Sequence, residues 1–102
     1  MPEEKFMCIN PNPEKTGTRI ALEKYELVKR AILQAVGEGE DGIYFKDLAE
    51  RVEEILTVDE VRGLGSVSWY TTTVKLDLEA RGIIERAQKS SPQRLRLVKQ
   101  RP

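Results

Sequence analysis

The chain is predicted to be a mainly α protein with a small β-hairpin, an α+β domain of three helices and a terminal ribbon. Three observations predict it. Two stretches before residue 57 carry apolar residues at three- and four-residue spacing, the period of a helix with one buried face. The stretch Ser66 to Val98 reads as a capped helix running into a basic hairpin. A length of 102 residues supplies one modest core and no more.

Residues 1–19 read as an arm and residues 20–102 as the domain it packs on. In Asn10-Pro11-Asn12-Pro13 each proline biases the asparagine before it towards extended backbone, which excludes a helix. Phe6, Met7 and Ile9 are apolar enough to dock the arm on the domain, so only Met1 to Glu4 are expected to fray.

The first helix is expected from about Leu22 to Val36, where Tyr25, Val28, Ile32, Ala35 and Val36 stack into one apolar stripe and Gly37 stops it. Gly37 to Gly42 is a turn, and Ile43-Tyr44-Phe45 is a candidate short strand. A second helix is expected at about Lys46 to Leu56, with Leu48, Val52 and Ile55 at i, i+4 and i+7. Its outer face carries Asp47, Glu50, Glu53 and Glu54, which would repel a phosphate backbone. Thr57 to Gly65 is a nine-residue connection in which Val58, Val61 and Leu64 could pack as a short extra turn.

The third helix is capped by Ser66 or Ser68, whose hydroxyl can accept from an unpaired amide of the first turn, and is ended by Gly82. Its apolar residues fall on two faces: Thr71, Val74 and Leu78 on one, Trp69, Thr73, Leu76 and Ala80 on the other. Ile83 to Gln88 and Arg94 to Lys99 follow as two short strands, with Lys89, Ser90, Ser91 and Pro92 between them.

Composition narrows the function. With 39% hydrophobic and 33% charged residues and no long apolar run, the chain is not expected to enter a membrane. The start lacks the apolar core of a secretory signal, and a cytoplasmic location is the expectation. There is no histidine and a single cysteine, Cys8, so the commonest metal ligand and general base are missing and no internal disulfide is possible. Neither Gly63/Gly65 nor Gly37/Gly39/Gly42 completes a nucleotide-binding glycine motif. No catalytic set, cofactor site or small-molecule ligand is expected, and the chain does not read as an enzyme. Net charge is zero, yet residues 81–102 hold seven basic residues against Glu85 alone, a net of +6. Such an asymmetry suits a polyanionic partner, and equally suits a solvated hairpin guarded against aggregation.

A helix ending in Leu78-Glu79-Ala80-Arg81-Gly82-Ile83-Ile84-Glu85-Arg86 and followed by a basic hairpin resembles the third helix and wing of winged helix-turn-helix domains. Asn10-Pro11-Asn12-Pro13 with Lys15, Gly17 and Arg19, then Gly65-Ser66-Val67, Trp69-Tyr70 and Thr72 through Gly82, and finally Pro92-Gln93-Arg94, resemble a family of small bacterial proteins of uncharacterised function. The resemblance implies a winged-helix-like domain without assigned catalytic residues. It assigns Val74 and Leu78 to the core and turns Trp69, Thr73 and Leu76 outward, to be covered by the arm or by a second copy of the chain.

Two functions are therefore expected as alternatives. The first is DNA binding, possible for a transcriptional regulator, with phosphates contacted by Ser66, Ser68, Thr72 and Lys75 near the helix start and by Arg86, Lys89, Arg94 and Arg96 on the wing. The second is a non-catalytic protein-interaction or dimerisation module that uses Trp69, Thr73 and Leu76.

Overall fold

The computed structural model describes residues 4–39, 41–87 and 92–98. Within them the order is β1 (Lys5–Cys8), β2 (Thr18–Ala21), α1 (Leu22–Gly37), β3 (Ile43–Tyr44), α2 (Phe45–Ile55), α3 (Val58–Leu64), α4 (Val67–Ala80), β4 (Ile84–Arg86) and β5 (Arg94–Leu97). This is a mixed α+β fold with four helices and two small antiparallel sheets among the described residues.

α1, α2 and α4 enclose the core because each presents one apolar stripe. Val28 and Ile32, Leu48 and Val52, and Val74 and Leu78 are all fully buried, and the sheet closes the remaining side with Ile84 and Leu95. The sheet order is β3-β5-β4: the two-residue strand expected at Ile43 pairs with β5 through Ile43↔Leu95 and Tyr44↔Arg94. Gly42, at φ +84°, makes that pairing possible, since a Cβ there would lie 1.8 Å from the carbonyl oxygen of Leu95.

The caps of α4 fall where the residue types place them. Ser66 accepts a hydrogen bond from the Trp69 amide at 3.1 Å. At the other end Gly82 has φ +74°, the Gly82 amide donates to Glu79 O, and the Ile83 amide donates to Leu78 O, the paired bonds of a Schellman ending.

Two expectations are corrected. The connection after α2 is a helix: Thr57 accepts from the Glu60 amide at 3.1 Å while Glu60 Oε1 accepts from the Thr57 amide at 2.8 Å, a capping box that starts α3. The arm is a β-hairpin, with Phe6 opposite Ile20 and Cys8 opposite Thr18. Strand alternation turns Phe6 and Cys8 inward and leaves Met7 exposed; Ile9 is exposed as well. The Phe6 ring stacks on Tyr25 of α1 at 3.9 Å, and Cys8 is buried.

Candidate functional site

The outward face of α4 is assembled by helical spacing. Ser68, Trp69 and Thr72 are exposed, and Thr73 and Leu76 follow on the same side, half-buried. The hairpin covers only the second part of this face. Cys8, Ile9, Asn10, Thr16 and Thr18 close over Thr73 and Leu76 around a cavity of about 60 Å³. Trp69 stays 48% exposed, its ring edge-on to Tyr70 at 4.9 Å. The arm therefore covers two of the three residues expected to be covered, and the indole is the one it leaves.

The described basic residues of the expected nucleic-acid surface, Lys75, Arg86, Arg94 and Arg96, are engaged within the fold. Lys75 is the clearest departure: it is 2% exposed, its ammonium lies 2.5 Å from Glu79 Oε1 and 4.4 Å from the centre of the Phe45 ring. It turns inward because position 75 sits beside Val74 and one turn before Glu79, on the side of α4 that faces α2. Arg86 Nε lies 3.4 Å from the other oxygen of Glu79, whose side chain is 8% exposed. Arg96 Nε donates to Glu85 Oε1 at 2.9 Å across the β4–β5 pair, where the two residues are register partners. Arg94 donates to the Tyr44 hydroxyl at 2.6 Å and lies over that ring. Lys89 lies outside the described residues. Ser66, Ser68 and Thr72 are exposed, but the Ser66 hydroxyl is already the helix cap.

What the sequence reading missed is a buried polar junction under the hairpin. Asp77 is fully buried on α4. Its carboxylate accepts from the Tyr25 hydroxyl at 2.6 Å, from the Ile9 amide at 2.9 Å, and from Arg81 Nε at 2.9 and 3.0 Å. Arg81 also donates to Met7 O at 3.1 Å and lies over the Phe6 ring. Three separate segments meet at one carboxylate, which satisfies a charge that would otherwise be costly to bury. Burial and then the Asp77 charge push the Cys8 thiol up to about 11, and burial followed by the hydrogen bond to Asp77 raises the Tyr25 phenol. A thiol held protonated in this way is a poor nucleophile. The available signal was the i, i+4 spacing of Asp77 and Arg81.

Among the described residues no three His, Cys, Asp or Glu side chains converge to hold a metal ion, and no helix is long and apolar enough to cross a membrane. A model of a family of unknown function, DUF6958, matches residues 5–95. The chain belongs to that family. No curated protein matches it, and no solved structure does. The DUF6958 match takes in the hairpin, all four helices and most of the second sheet, so the buried Asp77 junction and the α4 face both lie inside the family's extent.

Proposed function

We propose that this DUF6958 protein is a winged-helix module that works through contact with another protein chain, and that its first partner is a second copy of itself across the α4 face. The winged-helix part rests on β3 pairing with β5 beside β4, after α1, α2 and α4 have formed the helical core. The observation that carries the contact is Trp69, 48% exposed and flanked on α4 by the exposed, uncharged Ser68 and Thr72. A two-fold pairing sets the same patch against itself, so like charges would repel there, and an indole ringed by the uncharged Ser68, Thr72, Thr73 and Leu76 limits that. Zero net charge removes long-range self-repulsion as well.

Sedimentation velocity over a wide concentration range tests this. A dimer is expected to form as concentration rises, with a blue shift of the Trp69 emission, and Trp69→Ser is expected to stay monomeric with an unchanged thermal midpoint. A monomer at every concentration with constant emission would reject it.

A second reading, nucleic-acid binding through the wing and the start of α4, is favoured by one observation. The Arg96–Glu85 pair is about half exposed, and such pairs are worth only about 0–1 kcal/mol, so a phosphate could displace Glu85. Binding of duplex DNA measured at several salt concentrations separates the two readings. A steep loss with salt that Arg94→Glu and Arg96→Glu abolish would favour the wing, whereas no binding at low salt would exclude it.

A further inference from the structure

A concavity of about 680 Å³ lies away from the outward α4 face, between α1 and α3. Its floor is Leu27 of α1 and Leu64 of α3, and its rims carry Glu23 and Glu26 on one side and Asp59 and Glu60 on the other. The groove lies beside α3, a seven-residue helix that commits one buried side chain, Leu64. Gly63 keeps it open: a Cβ at that position would meet no atom within 4 Å.

Two cations also line the groove, and neither cancels the acidic rims. Lys24 lies over the Tyr70 ring at 5.6 Å, and Arg30, 74% exposed, is 3.8 Å from Glu60. Four carboxylates against two cations leave a net of −2 around an apolar floor. Glu60 is partly committed to its capping box, but Glu23, Glu26 and Asp59 have no hydrogen bond or ion pair among the described residues. Such a groove disfavours phosphates. It suits a ligand that is apolar along one stripe and positive on both flanks.

We infer that the α1–α3 groove is a docking site for a basic amphipathic helix of a partner protein. The walls are helices with no strand edge between them, so the fitting mode is a helix laid in the groove, apolar side chains on Leu27 and Leu64 and lysines or arginines on the rims. Gly63 lets the partner's backbone approach to the 8–10 Å typical of packed helices. The long stems of basic residues cover the apolar floor while their heads reach Glu26 and Asp59. Among its described residues a second copy offers no such helix, since the apolar stripes of α1, α2 and α4 that carry Ile32, Val52 and Leu78 are buried in its own core.

The probe is a synthetic helical peptide of about four turns, with leucines at i, i+3, i+4 and i+7 and lysines on both flanks; a control carries glutamates for the lysines. Fluorescence anisotropy with the full chain is expected to show saturable binding of the lysine peptide alone, with amide shift changes at Leu27, Gly63 and Leu64. Glu26→Lys with Asp59→Lys, both exposed and outside the core, is expected to weaken it at least tenfold, and Gly63→Leu to block it. Trp69→Ser is expected to leave it within about twofold, which keeps this groove distinct from the α4 face. No binding, equal binding of the glutamate peptide, indifference to the rim reversal, or loss with Trp69→Ser would each overturn the inference. So would self-association that the rim reversal abolishes, because a second copy would then be the occupant.

Discussion

The Tyr25 hydroxyl donates to the Asp77 carboxylate at 2.6 Å, and this one bond joins α1 to α4 at the point where the N-terminal hairpin lands. The same carboxylate holds Ile9 and Arg81, and Arg81 holds Met7, so hairpin and helices are tied at one place. The packing of Phe6 on Tyr25 lies directly beside it.

Removing either partner should cost stability unequally. Tyr25→Phe deletes one hydrogen bond to a charged group and leaves Arg81 on Asp77, for a loss of about 2 kcal/mol. Asp77→Ala strips three donors of their acceptor and should cost about 3 kcal/mol, the low end for a buried ion, because Arg81 is 37% exposed and can turn to water. Urea denaturation of both single variants and the double variant measures this, and the double should lose less than the sum.

Alkaline pH should loosen the same junction. The folded-state pKa of Cys8, about 11, stands above its ordinary 9.0, and Tyr25 is shifted the same way. A raised acid keeps its proton in the folded chain while the unfolded chain gives it up. Stability is therefore full below pH 9 and is lost as pH rises from about 9 towards 11. Cys8→Ala should flatten the first part of that fall. Denaturation midpoints from pH 7 to 11 would show it, and a midpoint constant above pH 9 in the parent chain would contradict it.

The helices and the second sheet were legible because their signals are local. Three-to-four spacing marks α1 and α2, a serine and a glycine mark the ends of α4, and Leu95 alternates with arginines in β5. The hairpin was not legible, because its four-residue strands are separated by nine residues containing two prolines and pair only once Cys8 and Ile20 find the core. α3 was half legible. Thr57 and Glu60 spell a capping box ahead of Val61 and Leu64, and that signal stood in plain sight. At the site, the stripes of α4 left two apolar faces, and the outward turn of Trp69 came from the winged-helix resemblance, which put Val74 and Leu78 in the core. The engagement of Arg86 by Glu79 and the burial of Lys75 were not legible, since a charge count assumes that charges face water.

Two glycines should respond in opposite directions. Gly42→Ala forces a Cβ into the Leu95 carbonyl at positive φ, so it should disrupt the β3–β5 pairing and destabilise by several times the usual glycine-to-alanine difference. Gly63→Ala sits inside α3 with open space around it and should gain up to about 1 kcal/mol from helix propensity. Thermal midpoints of the two variants, one lowered and one raised, check the pair.

Lys75 separates a structural cation from a binding one. Its ammonium is enclosed by Glu79 and the Phe45 ring, so Lys75→Met leaves a nearly buried Glu79 with only the more distant Arg86, and should cost about 3 kcal/mol. Adding Glu79→Gln removes the stranded charge and should restore part of that loss, since a buried pair is often replaceable where half of one is not. Because the ammonium never reaches the surface, any DNA affinity the chain has should be unchanged in the double variant at a temperature where it is folded. Urea denaturation alongside a binding titration gives both readings, and a fall in affinity without a fall in stability would put Lys75 back at a nucleic-acid surface.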